Sequence, residues 1–480
     1  MSGPMSGSWS MAAGYGRFFA VVGIAALVGG GGGCSLEPKE TEAERARAAE
    51  AGNAFEKPFD KRDLPALSTQ PGWREVLQRA FLANGDLEAV YFDWKASLAR
   101  VKEAAGYPNT NVTLSYSYLF SAEKMKSWDR TTLGVGFDPA MSLQWPGKVQ
   151  EAAKAALEDA RAKGKRFEAA KFALQQKVLT TWLDYAWLGE RIRIQNENVD
   201  LLKMLVDTAQ QRLRAGGAQQ DLFKAQTEYE MARSELASLQ SEQRATRAML
   251  NGMIGRGAEE TLLPPETLPN PRPMTADDAR LIASAVDNNP ELAALAHDVA
   301  GRSDALELAR MAYIPDVTPQ LSISGSISQM LGAMATLPTN LVKIRGSIQE
   351  GEDMVRGAEA TLRQARGERA ASFVATLYAL RDNERQVALF RETILPKATR
   401  VLASCHAAYS SGTIPFSDLI DSQRTVLEAR RVIAEAQIGR EKRLAELEAL
   451  AGVDVEALGV SATAPATAPD SQPASQPATR

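Results

Sequence analysis

Residues 221–239 read DLFKAQTEYEMARSELASL, and residues 418–436 read DLIDSQRTVLEARRVIAEA. Both open on Asp-Leu, Gln226 matches Gln423, and Arg233 matches Arg430. In the first stretch Leu222, Ala225, Tyr229, Ala232, Leu236 and Leu239 follow one another at alternating steps of three and four. In the second, Leu419, Ser422, Val426, Ala429, Ile433 and Ala436 keep the same steps. A period of 3.5 residues is the seam of a coiled coil, and the small residues in it let partner helices approach closely. Agreement in both spacing and phase points to one structural pattern written twice.

The duplication extends outward from these seams. Asn84-Gly85-Asp86-Leu87 recurs as Asn289-Pro290-Glu291-Leu292, and each opens a helical stretch that ends near Tyr107-Pro108 or Tyr313-Ile314-Pro315. The repeats span residues 73–263 and 275–452, with coiled-coil helices at about 148–250 and about 350–452. Between them, residues 264–274 hold prolines that no helix interior tolerates. Residues 34–72 read as an extended tether, and the Ala/Pro/Ser/Gln-rich tail, 453–480, reads as disordered. No proline occurs from Gly147 to Leu263. A helix from about Lys148 to Arg214 would run on the order of 100 Å at about 1.5 Å per residue. It would stop at Gly216-Gly217, as its counterpart would stop at Ser411-Gly412-Thr413-Ile414-Pro415, with Pro396 interrupting the approach.

Each repeat also carries a hairpin pattern, at about 110–146 and about 317–348. Val112, Leu114, Tyr116 and Tyr118 alternate with Thr113, Ser115 and Ser117. Leu133, Val135, Phe137, Met141, Leu143 and Trp145 share one parity. Leu321, Ile323 and Ile327 alternate with serines, and the return strand is read from Val342, Ile344 and Ile348 against Lys343, Arg345 and Ser347. Period two suits a strand with one side to lipid and one to water. Lipid satisfies no open sheet edge, and four strands are too few to close a barrel, so other copies of the chain must complete it. The fold expected is mainly α with a transmembrane β-barrel contribution.

Composition excludes other classes. The 480 residues are 45% hydrophobic but only 6% aromatic, which suits long packed helices better than a large globular core. A net charge of -4 gives no basic surface for nucleic acid. Two cysteines and two histidines leave little scope for metal or thiol chemistry. Adjacent helical residues point about 100° apart, so Cys405 and His406 do not chelate one ion together; packing and solvation are their expected roles, as for His297. Trp182, Tyr185 and Trp187 are expected in packing between helices. No phosphate loop, Cys-x-x-Cys or His-Glu-x-x-His occurs. No enzyme, cofactor or metal site is expected.

The N-terminus reads as an address. Arg17, the apolar run Phe18–Val28 and Gly29–Gly33 describe a secretory signal peptide over residues 1–33. Cys34 stands where a bacterial lipobox places the cysteine that is acylated after cleavage, although Gly31 replaces the usual leucine. Ser35 is not the aspartate that often retains lipoproteins in the inner membrane.

Together these motifs resemble the TolC-like outer-membrane efflux family. The matching residues are Cys34, Asn289-Pro290-Glu291-Leu292, the Trp145-Pro146-Gly147-Lys148 turn, Tyr409-Ser410-Ser411-Gly412, and Asp418 to Arg424, in an order duplicated over about 380 residues. Asn340–Gly346 departs from the family's turn into the helix. The resemblance implies a homotrimer with a 12-strand barrel on a 12-helix periplasmic tunnel, anchored by lipid at Cys34. It also implies a periplasmic adaptor and an inner-membrane pump of RND or ABC type as partners. Small molecules, drugs or metal ions would leave through it. Asp418 and Asp421, three apart on one helix face, match the family's aperture aspartates. Gly216, Gly217, Gly412 and Pro415 fall at the tip turns, where an adaptor would touch. The first repeat has Asp221 and Lys224 instead, which suits one helix pair lining the pore and the other lying outside. A periplasmic adaptor would need a lipoyl-like β-domain between its helix arms, and a structural coiled-coil lipoprotein would not need four amphipathic strands.

Overall fold

The computed structural model describes residues 36–107, 112–120, 124–137, 144–274, 278–279, 281–282, 288–324 and 328–454. The signal peptide, Cys34, Met141, Leu143, Ile327 and residues 455–480 of the tail lie outside the described residues. The helices are α1 (Glu40–Ala51), α2 (Trp73–Ala83), α3 (Gly85–Ala104), α4 (Pro146–Arg214), α5 (Gln219–Met253), α6 (Pro290–Arg310), α7 (Leu341–Leu389), α8 (Leu395–Ser410) and α9 (Phe416–Ala451). The strands are β1 (Val112–Tyr118), β2 (Thr131–Phe137), β3 (Asp316–Ser324) and β4 (Ser328–Thr336). The chain divides into two compact units. One comprises residues 1–45, 95–160 and 298–357; the other comprises 46–94, 161–297 and 358–480.

The first unit holds the strands. They form one antiparallel sheet in the order β1-β2-β3-β4, so the two hairpins join through β2 and β3. The register sets Leu114 opposite Val135, Val135 opposite Leu321, and Leu321 opposite Leu331. The row two residues along runs Tyr116, Leu133, Ile323. Thr132 and Ser324 share a side-chain hydrogen bond of 2.9 Å across the joint. Below the sheet, Val101, Val149, Ala153, Leu157, Ala160 and Ile344 are buried. Gly301 leaves room for Glu158, whose Cβ would lie 3.3 Å from an added methyl.

Two expectations are corrected here. The stretch Val342–Ile348 is not the return strand but the start of α7. Leu341, Ile344 and Ile348 are three and four apart as well as partly alternating, and Asn340 Oδ1 accepts from Lys343 N–H at 3.0 Å, capping the helix. The return strand is Ser328–Thr336, whose Gly332 and alternating Ala and Met residues carry no period-two signature; pairing with β3 holds it in place. Nor are residues 36–72 an extended tether. They contain α1 and two short 3₁₀ turns, Asn53–Glu56 and Phe59–Lys61.

In the second unit, Phe55 from that segment lies 5.4 Å from the Tyr91 ring, and Phe167 lies 5.9 Å from Tyr91 and 5.7 Å from Trp94. Tyr91 donates to Glu56 Oε1 at 3.0 Å. Burial and that carboxylate push its pKa up to about 12. The duplicated asparagines do the same work twice. Asn84 Oδ1 accepts from Leu87 N–H at 3.0 Å, and Asn289 Oδ1 accepts from Leu292 N–H at 2.9 Å, each at a helix start.

The inter-repeat linker is pinned. Tyr185 donates to Leu262 O, and Trp182 Nε1 donates to Pro71 O at 3.2 Å. Trp182 and Tyr185 are thus packing residues with polar ends that hold flanking chain. Arg272 reaches Glu441 at 3.0 Å and Glu448 at 2.9 Å, with its guanidinium 5.6 Å from the Trp73 ring. Burial lowers the Arg272 pKa, but the two carboxylates outweigh it and hold it above its ordinary value. Glu441 and Glu448 are only 5% and 1% exposed; Arg272 is the cation they share, and Arg440 pairs with Glu441 as well. Arg272→Ala is expected to cost about 3 kcal/mol, the lower end for a broken buried pair because Arg440 stays with Glu441, and adding Glu448→Gln should recover part of it. Denaturant unfolding of the purified protein measures both.

Candidate functional site at the helical tip and the strand quartet

The helices that lead into the two tip turns, α4 and α8, are each followed by a left-handed glycine. Gly216 has φ of 96° and Gly412 has φ of 80°, a region that costs side chains with a Cβ about 1–2 kcal/mol. The turns are equivalent bond for bond. Gly216 N–H donates to Leu213 O and Gly217 N–H to Arg212 O; Gly412 N–H donates to Tyr409 O and Thr413 N–H to Ala408 O. The second turn is one residue longer, with Pro415 as the N-cap of α9 where Ala218 serves α5. A Cβ on Gly217 would lie 3.0 Å from Arg212 O, so that glycine has a steric reason to be there.

Below the turns both hairpins share one core. Leu202, Leu205, Ala209, Ala225, Ala232, Tyr409, Phe416, Leu419 and Ile420 form it. The seam of α9 is fully buried, from Leu419 through Ser422, Val426, Ala429 and Ile433 to Ala436. In α5 only Ala225, Ala232 and Leu239 of the matching positions are buried. Cys405 packs against this core, while His406 is exposed.

Asp418 and Asp421 lie in the first two turns of α9, both exposed. The helix dipole favours negative charge there. Ser417 Oγ donates to Asp418 at 3.3 Å, and Arg424 lies 3.6 Å from Asp421. Arg424 also reaches Glu228 on α5 at 2.5 Å, tying one hairpin to the other. Lys224, Glu228, Phe223, Ile420, Asp421 and Arg424 line a groove of about 610 Å³ between α5 and α9. Gly216, Gly217, Gly412 and Pro415 are exposed beside it.

Two residues that join the hairpins are not apparent from sequence motifs. Arg212 places its guanidinium 4.0 Å from the Tyr409 ring centroid and donates to the carbonyl oxygens of Tyr409 and, at 3.1 Å, Ser410. Its partners are a ring face and main-chain atoms, which no spacing rule reveals. The second is Glu228, whose partner Arg424 stands 196 positions away.

At the strand quartet, the Trp-Pro-Gly-Lys turn has a mechanical role. Lys148 Nζ donates to Ile314 O at 2.8 Å and to Asp316 at 2.9 Å, and Trp145 N–H donates to the same carboxylate at 3.1 Å. One aspartate thereby ties the end of the first hairpin to the start of the second. Leu114 and Tyr116 are 79% and 67% exposed, an apolar surface that water would penalise and lipid would not. Trp128 and Trp145 stand half-exposed beyond the two ends of β2, as interfacial tryptophans do. Among the described residues, no helix is long and apolar enough to cross a membrane, and no cluster of three or more potential metal ligands occurs.

Comparison with known proteins finds similarity over most of the chain. OprJ, an outer membrane protein of Pseudomonas aeruginosa, is 22% identical over 426 residues, 82% of this chain and 87% of that protein. A Pseudomonas aeruginosa membrane protein of known structure superposes with a TM-score of 0.68 at 19% identity, covering 79% of this chain and 90% of the other. The Vibrio cholerae outer membrane protein VceC superposes with a TM-score of 0.65 at 15% identity, covering 79% and 96%. The family model described as outer membrane efflux protein matches residues 76–256 and 281–453, both repeats of the tandem pattern. The chain therefore belongs to the outer membrane efflux protein family.

Proposed function

We propose that this chain is the exit-duct subunit of a tripartite efflux or secretion system, assembled as a homotrimer in the outer membrane. The observation that carries the reading is the four-stranded sheet itself. Among the described residues β1 and β4 each have one strand neighbour, and the sheet exposes apolar side chains. Three copies joined edge to edge make a 12-strand barrel. The three sets of two long hairpins make a 12-helix tunnel in the periplasm.

In this reading Asp418 and Asp421 of three copies surround the narrow end of the tunnel. Two carboxylate rings draw cations toward the opening and disfavour anions. Arg424 tempers the Asp421 ring by standing beside that carboxylate while held by Glu228. The turns at Gly216–Gly217 and Gly412–Pro415 face a periplasmic adaptor, which hands on cargo from an inner-membrane pump of RND or ABC type. OprN and Neisseria gonorrhoeae MtrE, each described as an outer membrane channel, share the fold at TM-scores of 0.67 and 0.64, which favours this use of it. Cys34 carries the lipid that holds the mature N-terminus at the membrane. The cargo is of the small-molecule, drug or metal-ion kind; the duct itself holds no cofactor.

The central test is direct. The protein extracted in detergent should run as a heat-sensitive trimer and conduct ions across a planar bilayer; a monomer with no conductance overturns the assignment. Replacing Asp418 and Asp421 together by alanine should raise single-channel conductance. It should also weaken block by a trivalent cation about tenfold, the loss of about 1.4 kcal/mol of attraction. Unchanged conductance and block would remove the two aspartates from the opening. Cys34→Ala should abolish incorporation of labelled palmitate in cells, and labelling that persists would place the anchor elsewhere.

A further inference from the structure

The two hairpins reach unequal distances from the helices. In the row Ser117, Thr132, Ser324, Ser328 all four strands are still paired. Past that row β3 has ended and β4 has begun. The first hairpin continues: Tyr118 lies opposite Thr131, and Leu119 N–H donates to Arg130 O at 2.8 Å. Residues 119–120 and 124–130 therefore stand beyond the second hairpin, at the end of the sheet away from the helices. Edge-to-edge closure of a trimer engages the main chain of β1, which ends at Tyr118, and not the side chains of these residues.

The loop has its own order. Asp129 N–H donates to Lys126 O at 2.9 Å and Thr131 N–H to Trp128 O at 3.1 Å. Thr131 Oγ1 donates to Ser127 O, also at 3.1 Å. These overlapping turns place Lys126 and Trp128, while the Phe120 ring packs edge-on to Tyr118 at 5.0 Å. Phe120 is nonetheless 90% exposed, and Trp128 and Leu119 are exposed as well. Lys124 and Lys126 are exposed beside them, and neither has an ion-pair partner among the described residues. Asp129 and Arg130, half-buried, are the other charges there; Glu123 lies outside the described residues.

The opposite end of the sheet is different. The four strands contain one charged residue, Asp316, and it sits at the helix end. Lys148 is spent on it and on Ile314 O, and its side chain is only 13% exposed. The nine residues of β3, at about 3.3 Å each and tilted by about 40°, span about 23 Å of height, close to an apolar band of about 25 Å. Cations without partners thus begin where the far edge of such a band would end. Apolar rings next to lysine ammonium groups suit a boundary between hydrocarbon and anionic headgroups.

We propose that Lys124 and Lys126, with Phe120 and Trp128, form a docking surface for the anionic, phosphate-bearing headgroups of the outer leaflet. The rings enter the edge of the hydrocarbon and the ammonium groups meet phosphate above it. The side of the membrane assigned to this surface rests on the exit-duct reading; the recognition of a phosphorylated lipid does not.

The test uses the full-length protein in a neutral detergent, titrated with bisphosphorylated lipid A and followed by native mass spectrometry. The wild type should bind this lipid, more weakly as salt is added, and should bind the same lipid stripped of its phosphates far less. Lys124→Gln with Lys126→Gln should weaken binding about thirtyfold, about fivefold for each lysine, and Lys124→Arg with Lys126→Arg should restore it. Equal affinity in the wild type and the glutamine variant overturns the proposal, as does equal affinity for the lipid with and without phosphate. Glucosamine phosphate in solution should not compete; competition at matched concentration overturns the lipid surface in favour of a soluble anion site. A wild-type protein that conducts nothing in a planar bilayer overturns the exit-duct reading instead, and the lipid titration still decides the docking surface.

Discussion

A main-chain N–H or C=O that enters hydrocarbon without a partner costs several kcal/mol, and a strand at a sheet edge carries a row of them. This constraint governs the rest of the molecule. Two hairpins joined through β2 and β3 reduce four possible edges to two, at β1 and β4. The tie from Lys148 and Trp145 to Asp316 fixes how one hairpin meets the other. In the proposed assembly the remaining edges meet those of neighbouring copies, so that closure and oligomerisation are one event. The apolar side chains of Leu114 and Tyr116 become favourable only in that setting.

The helical part answers a different demand. A rod has little interior, so bulky aromatics find few places and small residues fill the seams. The second-repeat seam is buried from Leu419 to Ala436, whereas the first is partly open. Polar groups then take over tasks that a globular core would give to packing. Arg272 holds the linker against two buried carboxylates, and the asparagine pair Asn84 and Asn289 starts the two short helices. Duplication supplied the frame, and the differences between copies carry the asymmetry: Asp421 against Lys224, a longer tip turn, and a π turn at Phe390–Ile394 against the unbroken α4.

The tandem organisation, the tip turns and three of the four strands were legible because each leaves a periodic or punctuating trace. Glycines stand where φ is positive, prolines bound the linker, and Ser and Thr alternate with apolar residues in β1 and β3. The fourth strand was not legible. Met330, Leu331, Gly332 and Met334 show no alternation, while Leu341, Ile344 and Ile348 fit a helix as well as a strand. Only pairing with β3 and the Asn340 cap decide between them. The packed N-terminal segment was missed for a related reason: Phe55 is anchored by Tyr91, far away in sequence, and the surrounding prolines look like tether. Asp418 and Asp421 were visible as a pair, but Arg424 and Glu228 become relevant only when α5 and α9 lie side by side.

The joint between β2 and β3 has a consequence for the order of events in time. The β1–β2 and β3–β4 pairings are local, with Tyr118 opposite Thr131 and Ser324 opposite Ser328, whereas Thr132 meets Ser324 only after 192 steps of chain. Contacts so distant are slow to form, because the entropy of closing the loop is lost before any bond repays it. A chain whose second half has not yet arrived must keep its first hairpin from pairing with strangers. Its strands are short, and serine and threonine alternate through β1, which leaves a solitary hairpin marginal rather than sticky. In the proposed assembly the four-stranded unit that would enter the membrane is complete only when both halves of the chain are present.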